Sequence, residues 1–216
     1  MGKKPVKTDR KALLVQSAIE CFIKKGVAQA TMREIADKAG VDQPLLHYYF
    51  KSTDELYVEV VRKVLESLRQ TSVPASVESP DAATVLREYI SGTFAWARDN
   101  PGLFSIWMYF YYLSSFKPEF LKLNQEIRHV GRSRIAMMIH QGIEQGKFNI
   151  PKGKSVQDLA LMIQGYLTGA CILVASEKGD WAHAMRVTIE GSLAWLHAAE
   201  QKSAGASRQP GGGSPG

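Results

Sequence analysis

The chain has 216 residues, 45% of them hydrophobic, enough for a sizeable core and most naturally one short domain joined to a larger one. Its 27 basic against 21 acidic side chains leave a formal net charge of +6, a modest excess that favours an acidic partner. Two distant cysteines, Cys21 and Cys171, exclude a disulfide framework and read as buried thiols of a cytoplasmic protein, and the opening MGKKPVKTDRK lacks the apolar run of a signal peptide.

The first predicted element is a helix over residues 9–25, with Leu14, Ala18, Cys21 and Phe22 as its apolar stripe and Gly26 as its stop. The stretch 31–50, TMREIADKAGVDQPLLHYYF, then reads as two short helices joined by a tight turn. Met32, Ile35, Ala36 and Ala39 recur at helical spacing, Gly40 can take the left-handed conformation that ends a helix, and Asp42 can cap the next. On that next helix, a rotation of about 100° per residue gathers Leu46, Tyr49 and Phe50 as inward anchors. The opposite side is centred on Pro44, His47 and Tyr48, flanked by Gln43 and Leu45, all able to touch base edges, thymine methyls or phosphates. A glycine turn and an aromatic-rich helix also occur in plain helical cores, so periodicity alone leaves both readings open.

The order of residues separates them. Thr31, Ile35, Ala36, Ala39, Gly40, Val41, Asp42, Leu46, Tyr49 and Phe50 fall in register with the helix-turn-helix of TetR-family transcriptional regulators, which this segment resembles, and the match continues through Leu56. The resemblance implies an all-α protein: an N-terminal three-helix DNA-binding domain over 1–52 with a basic arm, followed by a larger helical ligand-binding and dimerisation domain over 53–200. It further implies DNA contacts from Thr31, Arg33, Gln43, Pro44, Leu45, His47, Tyr48, Lys51 and Thr53. Two departures from the family pattern stand out. Thr53 occupies a position where Lys is common, leaving Lys51 to supply the charge. Pro44 and His47 replace a small residue and a Tyr, so base contacts there differ.

Ser52 and Glu55, three apart, form a capping-box signature for a connecting helix over 53–70 whose amino terminus can face a phosphate. Much of the basic excess lies in or beside this first domain, at Lys3, Lys4, Lys7, Arg10, Lys11, Lys24, Lys25, Arg33, Lys38 and Lys51. Beyond a loop holding Pro74, Ser79 and Pro80, helices are predicted over 81–99, from Pro101 through 113, over 119–145, 155–176 and 180–199, and the Gly, Pro and Ser-rich 201–216 reads as a disordered tail. The uncharged run 159–175 approaches the lower limit of roughly 17 residues for a membrane span. Gln164, Gly165, Thr168 and Gly169 interrupt it, and a helix buried between protein surfaces is the better reading.

In the larger domain Phe94, Trp96, Phe104, Trp107, Met108, Tyr111 and Tyr112 are candidate walls for an apolar or aromatic small molecule, with His129 and His140 as candidate polar contacts, although aromatics at helical spacing also make ordinary core. Gly165, Gly169, Ala170, Leu173 and Val174 make a close-packing surface, assigned to a homodimer because a reader of this type gains two half-sites of a palindromic operator through two-fold symmetry. No His-Glu-x-x-His, Cys-x-x-Cys, phosphate loop or nucleophile elbow is found, so neither an enzyme, a metal site nor a cofactor is expected. The expectation is a regulator, most naturally a repressor released from its operator by a ligand; a helical protein-binding adaptor or a non-catalytic ligand-binding protein is the alternative.

Overall fold

A computed structural model of the chain describes residues 7–72 and 81–197, with side chains from residue 10 onward. The proposed basic arm with Lys3 and Lys4, the loop with Pro74, Ser79 and Pro80, and the tail 201–216 lie outside the described residues. Those described form helices and connecting turns only: α1 (Lys7–Lys25), α2 (Met32–Ala39), α3 (Gln43–Tyr49), α4 (Thr53–Ser72), α5 (Ala82–Asp99), α6 (Pro101–Ser114), α7 (Pro118–Glu144), α8 (Val156–Ser176) and α9 (Trp181–His197). The all-helical expectation holds. The chain divides into two compact units, one of residues 1–72 and 95–126, the other of 73–94 and 127–216.

In the first unit α1 packs on α2, α4 and α6, and α4 also packs on α6. Its core gathers Leu14, Ala18 and Phe22 of α1, Ile35 and Ala36 of α2, Leu46 of α3, Phe50, and Leu56, Val60 and Val64 of α4, all buried. Tyr57 is the hub. Its ring meets Phe22, Tyr109 and Phe120 edge-on at 5.7, 6.1 and 5.6 Å, and its buried hydroxyl donates to the Ile106 carbonyl oxygen at 2.6 Å. Burial also pushes the phenol's pKa well above the ordinary tyrosine range, so this hydroxyl is a permanent donor. Gly102 lets α6 approach α1 closely, because a Cβ there would press into the Ile23 side chain.

In the second unit α8 and α9 pack as a pair. Tyr166 of α8 lies over Gly191 of α9, where any Cβ would crowd the ring, and its hydroxyl donates to the Val187 carbonyl at 3.4 Å. Ser155 and Asp158 cap α8 reciprocally, each side chain accepting the other's backbone N–H. The helix is 21 residues long with a mean hydropathy of 1.7, enough by length and composition alone to cross a membrane. It buries Leu159, Ala160, Ile163, Gln164, Leu167, Cys171 and Val174 against protein along one face, while Leu161 and Leu173 stand exposed on another, so the helix is enclosed on one side only, short of the sequence expectation. The Cys171 thiol is pushed up to about 12 by this burial, and both cysteines are free.

Candidate nucleic-acid interface

The helix-turn-helix is built from caps outward. Thr31 starts α2: its hydroxyl accepts the Glu34 N–H at 3.3 Å, while the Glu34 carboxylate accepts the Thr31 N–H at 3.1 Å. The Lys25 ammonium grips the same carboxylate, and that ion pair with the Thr31 backbone bond holds the Glu34 pKa down at about 2. Gly40 closes α2 at φ +66°, the left-handed region, with its N–H turned back to Ala36 and Asp37. Two residues later Asp42 begins α3, its carboxylate accepting the Leu45 N–H at 3.2 Å, and Pro44 sits in the first turn where a missing N–H costs little. Three residues thus separate two helices whose ends are each satisfied locally, which fixes the angle at which α3 leaves the domain.

The faces of α3 separate cleanly. Leu46 is completely buried and Phe50, its C-cap, almost so, while Gln43, Pro44, His47 and Tyr48 are exposed, Tyr48 at 68%. Tyr49, the third predicted anchor, is half-buried and meets Tyr48 edge-on at 5.3 Å. Leu45 is half-buried and lines a groove of about 320 Å³ with Leu13, Leu14 and Val41, so it sits at the rim of the outer face. Gln43 and His47, one turn apart, pair through the Gln43 amide nitrogen and His47 Nε2 at 3.3 Å. An amide nitrogen only donates, so this ring nitrogen accepts. The sequence names both residues; the pairing follows from their i, i+4 spacing.

Around this face, Arg33 and Lys51 are exposed. Other cations of the basic excess are committed to neighbours: Lys11 to Glu59 at 3.2 Å, Lys38 to Glu20 at 2.8 Å, and Lys25 to Glu34. The charge available to a polyanion is therefore smaller and more localised than composition implies. Thr31 is likewise occupied as a cap, a role legible in Thr31-x-x-Glu34 but not among the sequence expectations. At the start of α4 the Ser52 hydroxyl accepts the Glu55 N–H at 3.1 Å, but the Glu55 carboxylate accepts from the Lys51 N–H at 2.8 Å, one residue before the reciprocal partner of a capping box. That bond holds the Lys51 backbone beside the half-buried Thr53.

The candidate ligand residues fall in both units. Phe94 belongs to the second unit, where it meets Trp181 edge-on at 6.3 Å. The others belong to the first: Trp96 pairs with Phe104 at 6.4 Å and donates to the Ser67 hydroxyl, and Trp107 meets Tyr111 at 5.4 Å, with Met108 half-buried beside it. Tyr112 does not join them. Five residues from Trp107 place it about 140° round the helix, where it is 61% exposed and meets Phe116 edge-on at 4.9 Å. His129 and His140 are exposed on α7.

On α8 the surface assigned to a dimer is partly turned inward. Val174 is buried and faces the Gly179 turn, so it is core. Gly165 and Gly169 have open space where a Cβ would stand, Leu173 is 59% exposed, and Ala170 is intermediate. Leu161, one turn before Gly165 and 53% exposed, extends this stripe, as its i−4 spacing would have shown. Among the described residues no group of His, Cys, Asp and Glu could hold a metal.

Comparison with known proteins agrees with this architecture. Residues 14–60 match the model of the bacterial regulatory proteins of the tetR family. The chain is 32% identical over 111 residues to the HTH-type transcriptional regulator BetI of Agrobacterium fabrum and 35% identical over 115 residues to that of Rhizobium meliloti. These matches take in 51% of this chain and 52% and 53% of the two relatives, so the chain spans about half the length of the curated relatives it matches. A transcriptional regulator from Saccharomonospora viridis, crystallised in complex with choline, superposes with a TM-score of 0.72 at 18% identity, covering 85% of this chain and 95% of that one. With the capped helix-turn-helix and the family model matching residues 14–60, from within α1 to within α4, the chain carries the amino-terminal domain of the tetR family of bacterial regulatory proteins and shares the fold of its solved structures beyond it.

Proposed function

We propose that this protein is a cytoplasmic, homodimeric, DNA-binding transcriptional repressor that leaves a palindromic operator when a small apolar or aromatic molecule binds. The observation that carries the reading is the outer face of α3: Gln43, Pro44, His47 and Tyr48 stand exposed on a helix pinned from behind by Leu46 and Phe50. A tyrosine 68% exposed on a seven-residue helix adds little to a core, whereas a major groove admits such a helix and offers base edges and thymine methyls to it. Arg33, Lys51 and Thr53 flank the face as phosphate contacts, and with Thr53 in its position Lys51 carries the backbone charge.

The exposed stripe of Leu161, Gly165 and Leu173 on α8 supports a two-fold interface, since a face with open space at two glycines accepts close approach of a second helix. Trp107 and Tyr111 are the favoured ligand walls. Release then requires that ligand and operator prefer different arrangements of the dimer, each lowering the other's affinity by the same factor.

Selection of bound duplexes from a random pool, followed by titration at several salt concentrations, tests the reading. The selected sites are expected to be palindromic with one dimer on two half-sites. Lys51→Ala is expected to weaken binding to every duplex and to reduce the salt slope by about 1 for each phosphate it no longer neutralises. Failure to enrich any sequence, or a wild type that binds as a monomer, would overturn it.

A further inference from the structure

The outer face of α3 holds neither Arg nor Lys: its exposed side chains are Gln43, Pro44, His47 and Tyr48. Arg and Lys are the usual readers of guanine, whose major-groove edge offers the two acceptors N7 and O6. In their place α3 presents an amide and a ring joined to each other, the Gln43 amide nitrogen donating to His47 Nε2 at 3.3 Å. The backbone beneath this pair is fixed. The Asp42 carboxylate accepts the Leu45 N–H at 3.2 Å, the Phe50 N–H donates to the Leu46 carbonyl at 2.9 Å, and Leu46 anchors the helix from behind.

The pairing limits what Gln43 can offer to a base. A Gln amide has two N–H donors and one carbonyl oxygen, so with one N–H engaged by His47 it keeps one donor and one acceptor. Adenine matches that set, with N7 to accept and the N6 amino group to donate. Guanine does not, because N7 and O6 together require two donors. Cytosine and thymine each offer a single polar group in the major groove and cannot be held in two places. Without the ring, a long Gln side chain would sample many rotamers and turn its amide either way, at an ordering cost paid on each encounter with DNA; His47 removes that freedom beforehand.

We infer that Gln43 and His47 act as one reader that selects adenine at a single base position for each bound chain. Gln43 makes the base contact, its carbonyl oxygen accepting from N6–H and its remaining N–H donating to N7, and His47 is a positioning residue that fixes which groups the amide presents. This rests on the proposal that α3 reads DNA, and it adds which base is read and through which atoms.

The test selects duplexes from a random pool with the full-length wild type, Gln43→Ala, His47→Phe, His47→Gln and the double variant carrying Gln43→Ala and His47→Phe. The wild type is expected to enrich adenine at a defined position and to bind it about tenfold more tightly than guanine there, as a two-point contact provides. Gln43→Ala and His47→Phe should each lose this preference at the same position, and the double variant should lose no more than either. His47→Gln, which restores an acceptor to the pair, should keep much of it. On the wild type alone, 7-deazaadenine at that position, lacking the N7 acceptor, should weaken binding severalfold, which decides the matter if a variant melts early. Guanine at the Gln43-dependent position, an adenine preference that survives either single change, a double variant that loses the sum of the single losses, or indifference to 7-deazaadenine would overturn the paired reader and leave DNA reading by α3 standing. A wild type that enriches no sequence would overturn both.

Discussion

Two aromatic-rich helices of the same unit, α3 and α6, look alike in sequence and do opposite things. Each has a proline at its start and tyrosines at its end, QPLLHYY against PGLFSIWMYFYYLS. In α3 only Leu46 is fully buried, and a tyrosine stands in solvent beside Gln43 and His47; in α6 Phe104, Ile106, Trp107, Phe110 and Leu113 are all buried. The difference lies in what surrounds them. The α3 helix is one layer at the surface, capped by an Asp42 side chain, whereas α6 packs on both α1 and α4 and has no side-chain cap at Asn100. Aromatic content therefore does not distinguish an exposed face from a core; the number of faces covered by other elements does.

The largest effect that would sharpen this contrast is expected at Phe110. Its ring is fully buried, and Phe110→Ala should cost about 3–5 kcal/mol of unfolding free energy, measured by denaturant titration, whereas Tyr112→Ala two residues on should change it by under about 0.5 kcal/mol. A reversed order would mean that α6 turns its other face inward. Next is Tyr57→Phe, which removes the hydroxyl bond to the Ile106 carbonyl while keeping the ring; a loss of about 0.5–1.5 kcal/mol is expected, and no change in melting would show that water replaces the hydroxyl.

Smaller still in stability, though not in function, is Tyr48→Ala. Operator affinity is expected to fall by about 1–3 kcal/mol with melting nearly unchanged, and a melting shift as large as that of Phe50→Ala would make Tyr48 part of the core. The smallest effect concerns acid. Glu34 is held at about 2 in the folded protein against an ordinary 4.5, so the stabilisation it gives is complete above that ordinary value and fades as pH falls towards 2. Glu34→Gln should therefore make the stability-versus-pH curve shallower between about 4.5 and 2, and an unchanged acid limb would show that Lys25 and Thr31 hold the carboxylate no better than water does.

Local chemistry was the part legible in the chain itself. Gly40 and Asp42 announce a turn and a cap with mechanisms internal to a few residues, and Leu46 and Phe50 follow from the helical period, so the outer face of α3 could be named in advance. Tertiary commitments were not legible. That Lys25 and Lys38 are spent on Glu34 and Glu20, that Val174 turns inward, and that Tyr112 leaves the Trp107 group depend on which elements lie alongside, which single-helix periodicity does not encode. The bond from Arg128 of α7 to the Thr168 hydroxyl of α8 went unnoticed for the same reason: an arginine on a long mixed helix reads as solvated until α8 is laid against it.

The hydroxyl of Tyr57 carries a lesson for anyone recombining such chains. Since its partners Ile106, Tyr109 and Phe120 arrive some fifty or more residues later, the amino-terminal helices are not a cassette that ends at Ser72. A chimera spliced there would graft a foreign α6 and α7 onto a native α4 and mismatch a buried donor with its acceptor. An exchange that carries residues 95–126 along with 1–72 would transplant the shell intact, at three crossover points instead of one.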